Sequence, residues 1–147
     1  MKFKEQLRII EEALLKPMSD ELAQKLDEEK IKIRLDEIKK RSTLNADGSY
    51  DVDGGVDLSN TYLTKFPMKF GKVSGHFDCS YNKLITLKGA PIEVGKSFYA
   101  HYNKLTSLEG APKKVGGAFN CFANTIKFTE DEVRAVCDVK GKIYEKI

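Results

Sequence analysis

In the N-terminal third, apolar positions recur at helical spacing. Phe3, Leu7, Ile10 and Leu14 stand three or four residues apart, which lines them along one side of a helix. Pro17 is expected to end that helix. Ser19, followed by Asp20 and Glu21, starts a second helix carrying Leu22, Leu26, Ile33 and Ile38. Charges of both signs crowd the stretch from Asp27 to Arg41, as suits an exposed helix laced with i,i+4 pairs. The helices either dock on the C-terminal two-thirds of the chain or project toward a partner or a second copy, and at least partial docking is expected. Asn45-Ala46-Asp47-Gly48-Ser49 then reads as a turn between short strands.

Beyond that turn the period changes. Shifted by 21 positions, the chain matches itself over four copies without an insertion. Val52, Val73, Val94 and Val115 fall in register, as do Val56, Phe77, Phe98 and Phe119. Leu58, Cys79, Ala100 and Cys121 follow two residues later, and then Thr61, Asn82, Asn103 and Asn124. Leu63, Leu84, Leu105 and Ile126 complete the row, which Phe66, Leu87 and Leu108 extend.

These columns have a physical reading. Phe77 and Cys79 are two apart, so on a strand they share one face. With Asn82 and Leu84 they form the L-x-L-x-x-N-x-L core of a leucine-rich repeat, Phe and Cys standing at the first two apolar positions. One repeat cannot bury its apolar face alone, whereas stacked neighbours make Phe77, Phe98 and Phe119 a continuous ladder below Val56. Asn82, Asn103 and Asn124 are expected to turn inward and satisfy the backbone of the bend. Thr61 in that column marks an edge repeat with imperfect bonding. Gly89-Ala90-Pro91 and Gly110-Ala111-Pro112 punctuate the return path, where extended or single-turn structure is expected.

The ends need covers. Thr129 with Glu132 reads as a capping box, and Val133, Val136 and Cys137 give a short helix an apolar side. Val139 and Gly141 to Tyr144 follow as a last strand. The chain is thus expected to be an α+β repeat protein, a short leucine-rich-repeat solenoid with a parallel strand face. Residues 1–41 form its charged helical N-terminal segment, 42–128 the repeats with their opening hairpin, and 129–147 a small helix/strand cap.

Three segments carry a family resemblance. They are Val73-Ser74-Gly75-His76-Phe77-Asp78-Cys79, Leu105-Thr106-Ser107-Leu108-Glu109-Gly110-Ala111-Pro112 and Val115-Gly116-Gly117-Ala118-Phe119-Asn120-Cys121. Together with the lead-in from Asp47 to Gly54, they resemble a leucine-rich-repeat family widespread in tailed bacteriophages and some bacteria. The resemblance covers about two-thirds of the chain and carries no catalytic residues. Ala100, where the pattern has Cys, and Thr61, where it has Asn, depart from it. It implies a phage or phage-derived protein acting inside a bacterium, on a host protein.

Composition narrows the chemistry. The chain has 147 residues and is 41% apolar, enough for one packed domain. Its formal charge of +3 is small beside 25 basic and 22 acidic side chains, which argues against a dedicated nucleic-acid binder. No apolar run approaches the roughly 20 residues of a membrane span, and Met1 to Glu12 lacks the apolar core of a secretory signal. Three cysteines without CxxC spacing fit a reducing cytoplasm. Cys79 and Cys121, two repeats apart, should be separated by about 10 Å, beyond disulfide reach. Asp47, Asp51, Asp53 and Asp57 fail the EF-hand pattern and read as a solvated turn. No catalytic constellation, cofactor motif or metal-ligand spacing is present, so neither an enzyme nor a cofactor is expected.

The strand alternation points to a partner-binding face. If Phe77 and Cys79 point inward, His76, Asp78 and Ser80 point out, then Ser97, Tyr99 and His101, then Ala118, Asn120 and Phe122. Tyr81 and Tyr102 follow at the strand exits. The face is therefore expected to comprise His76, Asp78, Tyr81, Tyr99, His101, Tyr102, Asn120 and Phe122, a clustered aromatic surface suited to a protein partner. Nucleic acid is the first rival, through Lys83, Lys104, Lys113, Lys114 and Lys127 with tyrosines for stacking. Self-association through the N-terminal helices is the second.

Overall fold

The computed structural model describes residues 3–15 and 19–146, so the expected stop at Pro17 lies outside the described residues. Helix α1 spans Phe3–Leu15 and α2 spans Asp20–Lys40. Ser19 caps α2, its Oγ accepting the Leu22 N–H at 3.2 Å. The docked stripe of α2 shares only Ile38 with the expected one. Ile38 is buried in the core with Ile31 and Leu35 against it, whereas Leu22, Leu26 and Ile33 are exposed. Both sets have helical spacing, and the way the C-terminal half of α2 meets the first coil selects between them.

Strands β1 (Ser42–Leu44) and β2 (Tyr50–Val52) form an antiparallel hairpin. The coils follow with β3 (Val56–Asp57), β4 (Phe70–Val73), β5 (Phe77–Asp78), β6 (Glu93–Val94), β7 (Phe98–Tyr99), β8 (Lys114–Val115) and β9 (Phe119–Asn120). Helix α3 (Glu130–Val136) and strands β10 (Asp138–Val139) and β11 (Ile143–Tyr144) complete the chain. The strands assort into two sheets, β1-β2-β4-β6-β8-β10 and β3-β5-β7-β9-β11. Every pair except β1–β2 is parallel. The molecule is a β-solenoid with the expected parallel strand face, and its return path is itself a second parallel sheet.

The core is the sum of the columns. Val52, Val73, Val94, Val115 and Val139 line the inside of the six-stranded sheet. Val56, Phe77, Phe98 and Phe119 line the five-stranded one, and the three phenyl rings are fully buried. Their centroids succeed one another at 5.8 and 5.1 Å. Phe70 and Phe66 close the N-terminal end of this row, 5.0 and 5.7 Å from Phe77. Each such ring contributes about 2–3 kcal/mol by leaving water. Coils pack so closely at the corner between the sheets that a Cβ on Gly95 or Gly116 would run into the backbone carbonyl of the coil before it.

The asparagine column binds coil to coil. Asn82 Nδ2 donates to Leu58 O at 2.8 Å in the preceding coil and to Cys79 O at 3.1 Å in its own. Its Oδ1 accepts the N–H groups of Thr61 and Leu63. Asn103 and Asn124 repeat the pattern, reaching back to Cys79 O and Ala100 O. Thr61, in the first coil, reaches back to no earlier coil but is satisfied within its own. It is buried, and its hydroxyl donates to Leu58 O at 2.8 Å.

Both ends are covered by charge-assisted bonds. Arg34 of α2 donates to Ser59 O at 2.8 Å, and Arg41 to Asp53 O at 3.0 Å, satisfying the open edge of the first coil. At the other end Thr129 and Glu132 form the expected capping box, and Val133 and Cys137 are buried, while Val136 is exposed. Arg134 donates to Val139 O at 2.9 Å. Among the described residues no helix is long and apolar enough to cross a membrane.

Candidate functional site

The outer side of the five-stranded sheet follows from the inner one. With Phe77, Phe98 and Phe119 turned in, the next residue of each strand turns out. Strand register sets Asp57, Asp78, Tyr99 and Asn120 side by side in one row, and Tyr144 of β11 pairs with Asn120. The second row, Ser59, Ser80, His101 and Phe122, lies two residues on. In the first two coils these rows are closed upon themselves. Asp57 accepts from Ser59 N–H at 2.9 Å and Asp78 from Ser80 N–H at 2.9 Å, each serine hydroxyl joining as well.

In the last two coils rings take over. His101 stacks on Phe122 with centroids 4.7 Å apart and planes 20° from parallel. Tyr99 meets His101 edge-on at 6.0 Å. Tyr81 and Tyr102 stack at 4.7 Å and 10°, and they abut His101 and Phe122 at 5.5 and 5.7 Å. Five of the expected residues thus form one continuous aromatic patch. Tyr81 and Tyr102, expected at its margin, are its most open members at 53% and 39% exposure, while Tyr99, His101 and Phe122 are half-buried.

The tyrosine stack depends on an unusual backbone. Asn60, Tyr81, Tyr102 and Ala123 occupy one repeat column and have φ of 57°, 55°, 54° and 55°. A left-handed conformation at a bulky residue costs on the order of 1 kcal/mol. The bends are held by the neighbouring coil, with Tyr81 N–H donating to His101 O at 3.1 Å and Tyr102 N–H to Phe122 O at 3.2 Å.

The polar residues of the patch have distinct positions. His76 is exposed, lies 5.9 Å from the Tyr99 ring, and accepts the Ser97 N–H on Nδ1 at 3.1 Å. Asp78 and Asn120 flank Tyr99 in register. His101 Nδ1 and Asn120 Oδ1 are enclosed and have no hydrogen-bond partner. Burial pushes the His101 pKa below the ordinary 6.5, the Asp78 carboxylate opposing this.

Sequence reasoning missed Tyr144. The α3 insertion breaks the 21-residue spacing, so only the strand pairing reveals that it extends the row of Tyr99 and Asn120. It also missed the outer row of the six-stranded sheet, although the 21-residue spacing contains the first four of its members. Asp51, Lys72, Glu93, Lys114 and Asp138 stand there in succession, with Lys72 opposite Glu93, Glu93 opposite Lys114, and Lys114 opposite Asp138. A trough of about 570 Å³ runs beside it over Ser74, Gly95 and Gly116. Close coil packing already accounts for those glycines. Of the expected basic residues, Lys83 and Lys104 stand in one column of adjacent coils, and Lys113 and Lys114 lie elsewhere. Lys114 belongs to this row, whereas Lys83 follows β5 on the other sheet and lies 5.4 Å from the Tyr62 ring.

The remaining chemistry is quiet. Cys79, Cys121 and Cys137 are buried and free, and burial raises all three thiols, to about 12 for Cys121 and about 11 for Cys137. Asp47 is held down to about 2 by bonds from Ser49, and Asp51 is lowered by the Lys72 N–H and Asn45 amide. Among the described residues no group of three His, Cys, Asp or Glu side chains is placed to hold a metal ion. Searches of family models, curated proteins and solved structures yield no match to this chain.

Proposed function

We propose that this chain is a non-catalytic protein-interaction module that captures its partner on the patch of Tyr81, Tyr99, His101, Tyr102 and Phe122. The observation that carries the reading is the continuity of these rings across adjacent coils on a rigid sheet. Rigid aromatics offer large contact area at little entropic cost, which is the composition of binding hot spots. Half-burial leaves them ordered before a partner arrives, so less is lost on docking. The repeat resemblance extends the proposal to an inhibitor or adaptor of a bacterial host protein working in the cytoplasm.

The test is capture from bacterial lysate by the immobilised chain and by its Tyr99→Ser, Phe122→Ser double variant. Both residues are half-buried on the outside of the sheet, so the variant should keep the solenoid's circular dichroism and melt as one transition. Specific capture is expected to vanish. Undiminished capture by a folded variant would overturn the reading.

One arrangement favours a second reading. The parallel Tyr81–Tyr102 stack, followed in each coil by Lys83 and Lys104, has the form of a platform for single-stranded nucleic acid. Binding of random oligonucleotides with a steep salt slope would favour it over a protein partner, and no such binding would remove it.

A further inference from the structure

Among the described side chains of helix α1 the large apolar ones are exposed. Phe3, Leu7, Ile9 and Ile10 are exposed at 72%, 41%, 45% and 54%. Leu22 and Leu26 of α2 are exposed too, so α1 does not rest upon them. A helix of 13 residues is marginal alone in water, where roughly 12–15 residues are needed even for good helix formers. Something must cover this stripe when the helix is stable.

The flanks of the stripe say what. Phe3, Leu7 and Ile10 are spaced four and three apart, the seam of a two-helix coil, and Leu14 continues that spacing in the sequence. Lys4 and Glu11 lie along one flank of the seam, two turns apart, and Gln6 lies along the other. When two copies run antiparallel, like flanks meet. Lys4 then faces Glu11 of the second copy, and the two-fold axis makes the same ion pair twice. In a parallel pair the charged flank would meet Gln6 and gain nothing. We infer that α1 is the dimerisation element of this chain, pairing antiparallel with α1 of a second copy over Phe3, Leu7 and Ile10 and registered by two Lys4–Glu11 pairs. The dimer would display two aromatic patches, which raises avidity for a multivalent partner. The inference does not rest on what that patch binds.

Sedimentation equilibrium of the full chain from low to high micromolar concentration tests it. The mass should rise from 16.6 kDa to twice that value. Leu7→Gln removes a seam residue from both copies and should weaken the dimer by on the order of 100-fold, with the solenoid's melting transition kept. Lys4→Glu and Glu11→Lys should each weaken it about fivefold, and the double reversal should restore it. A monomer at every concentration overturns the inference, as does a dimer indifferent to Leu7→Gln. Charge reversals whose combination fails to restore the dimer overturn the antiparallel register.

Discussion

The two sheets share one core and differ in what they turn outward. Outside the six-stranded sheet, negative and positive charges alternate from Asp51 through Lys72, Glu93 and Lys114 to Asp138. Parallel strands lie about 4.8 Å apart, so each inner charge sits between two opposite ones. That row stays hydrated, and its three carboxylates and two ammonium groups nearly cancel. Outside the five-stranded sheet the rows change character along the axis, from self-bonded Asp and Ser to the rings of the last two coils. Phe77, Phe98 and Phe119 are equally buried beneath both kinds of coil. The repeat motif therefore specifies the scaffold, and the outward residues are free to specify the task.

The strongest way to break this contrast is to remove what the faces share. Phe98→Ala should cost about 3–5 kcal/mol by opening a cavity in the ring row, and thermal melting together with capture would register the loss of both faces. Asn103→Ala leaves the Leu84 N–H without its side-chain partner in a buried bend and Cys79 O with Asn82 Nδ2 as its one remaining side-chain donor, and should cost about 1–3 kcal/mol in denaturant melts. Glu93→Lys sets three like charges on adjacent strands. It should destabilise by about 1 kcal/mol, recover in part with added salt and leave capture intact. Lost capture would show that the charged face takes part in binding.

The smallest effect sharpens the contrast by pH. His101 has a folded pKa below its unfolded value, so the unfolded chain binds more protons between the two. Its contribution to stability is whole above about pH 6.5 and is lost as pH falls through the lower folded value. Imidazole titration followed by NMR should put the His101 midpoint below 6.5, and His101→Gln should flatten the acid side of the stability profile.

The inner columns were legible in the sequence because a fixed period repeats the same burial in each coil. The asparagine bridges were legible for the same reason. The second sheet was not, since β6, β8 and β10 are two residues long with one buried valine each and carry no alternation to read. The docking side of α2 was hidden because Leu22, Leu26 and Ile33 have helical spacing just as Ile31, Leu35 and Ile38 do. At the candidate site the membership of the patch could be read from alternation. The prominence of Tyr81 and Tyr102 could not, because it follows from left-handed φ at residues that rarely adopt it.

Each carboxamide of the asparagine column clasps the bend of the coil before it as well as its own. The clasp closes only if the following turn arrives at the right height and in the right phase. Evolution can therefore lengthen or shorten this spiral in whole turns, by duplicating or deleting 21 residues at a stroke. Smaller indels between one asparagine and the next would throw every later clasp out of step unless absorbed in a loop that leaves the ladder, as the α3 excursion does.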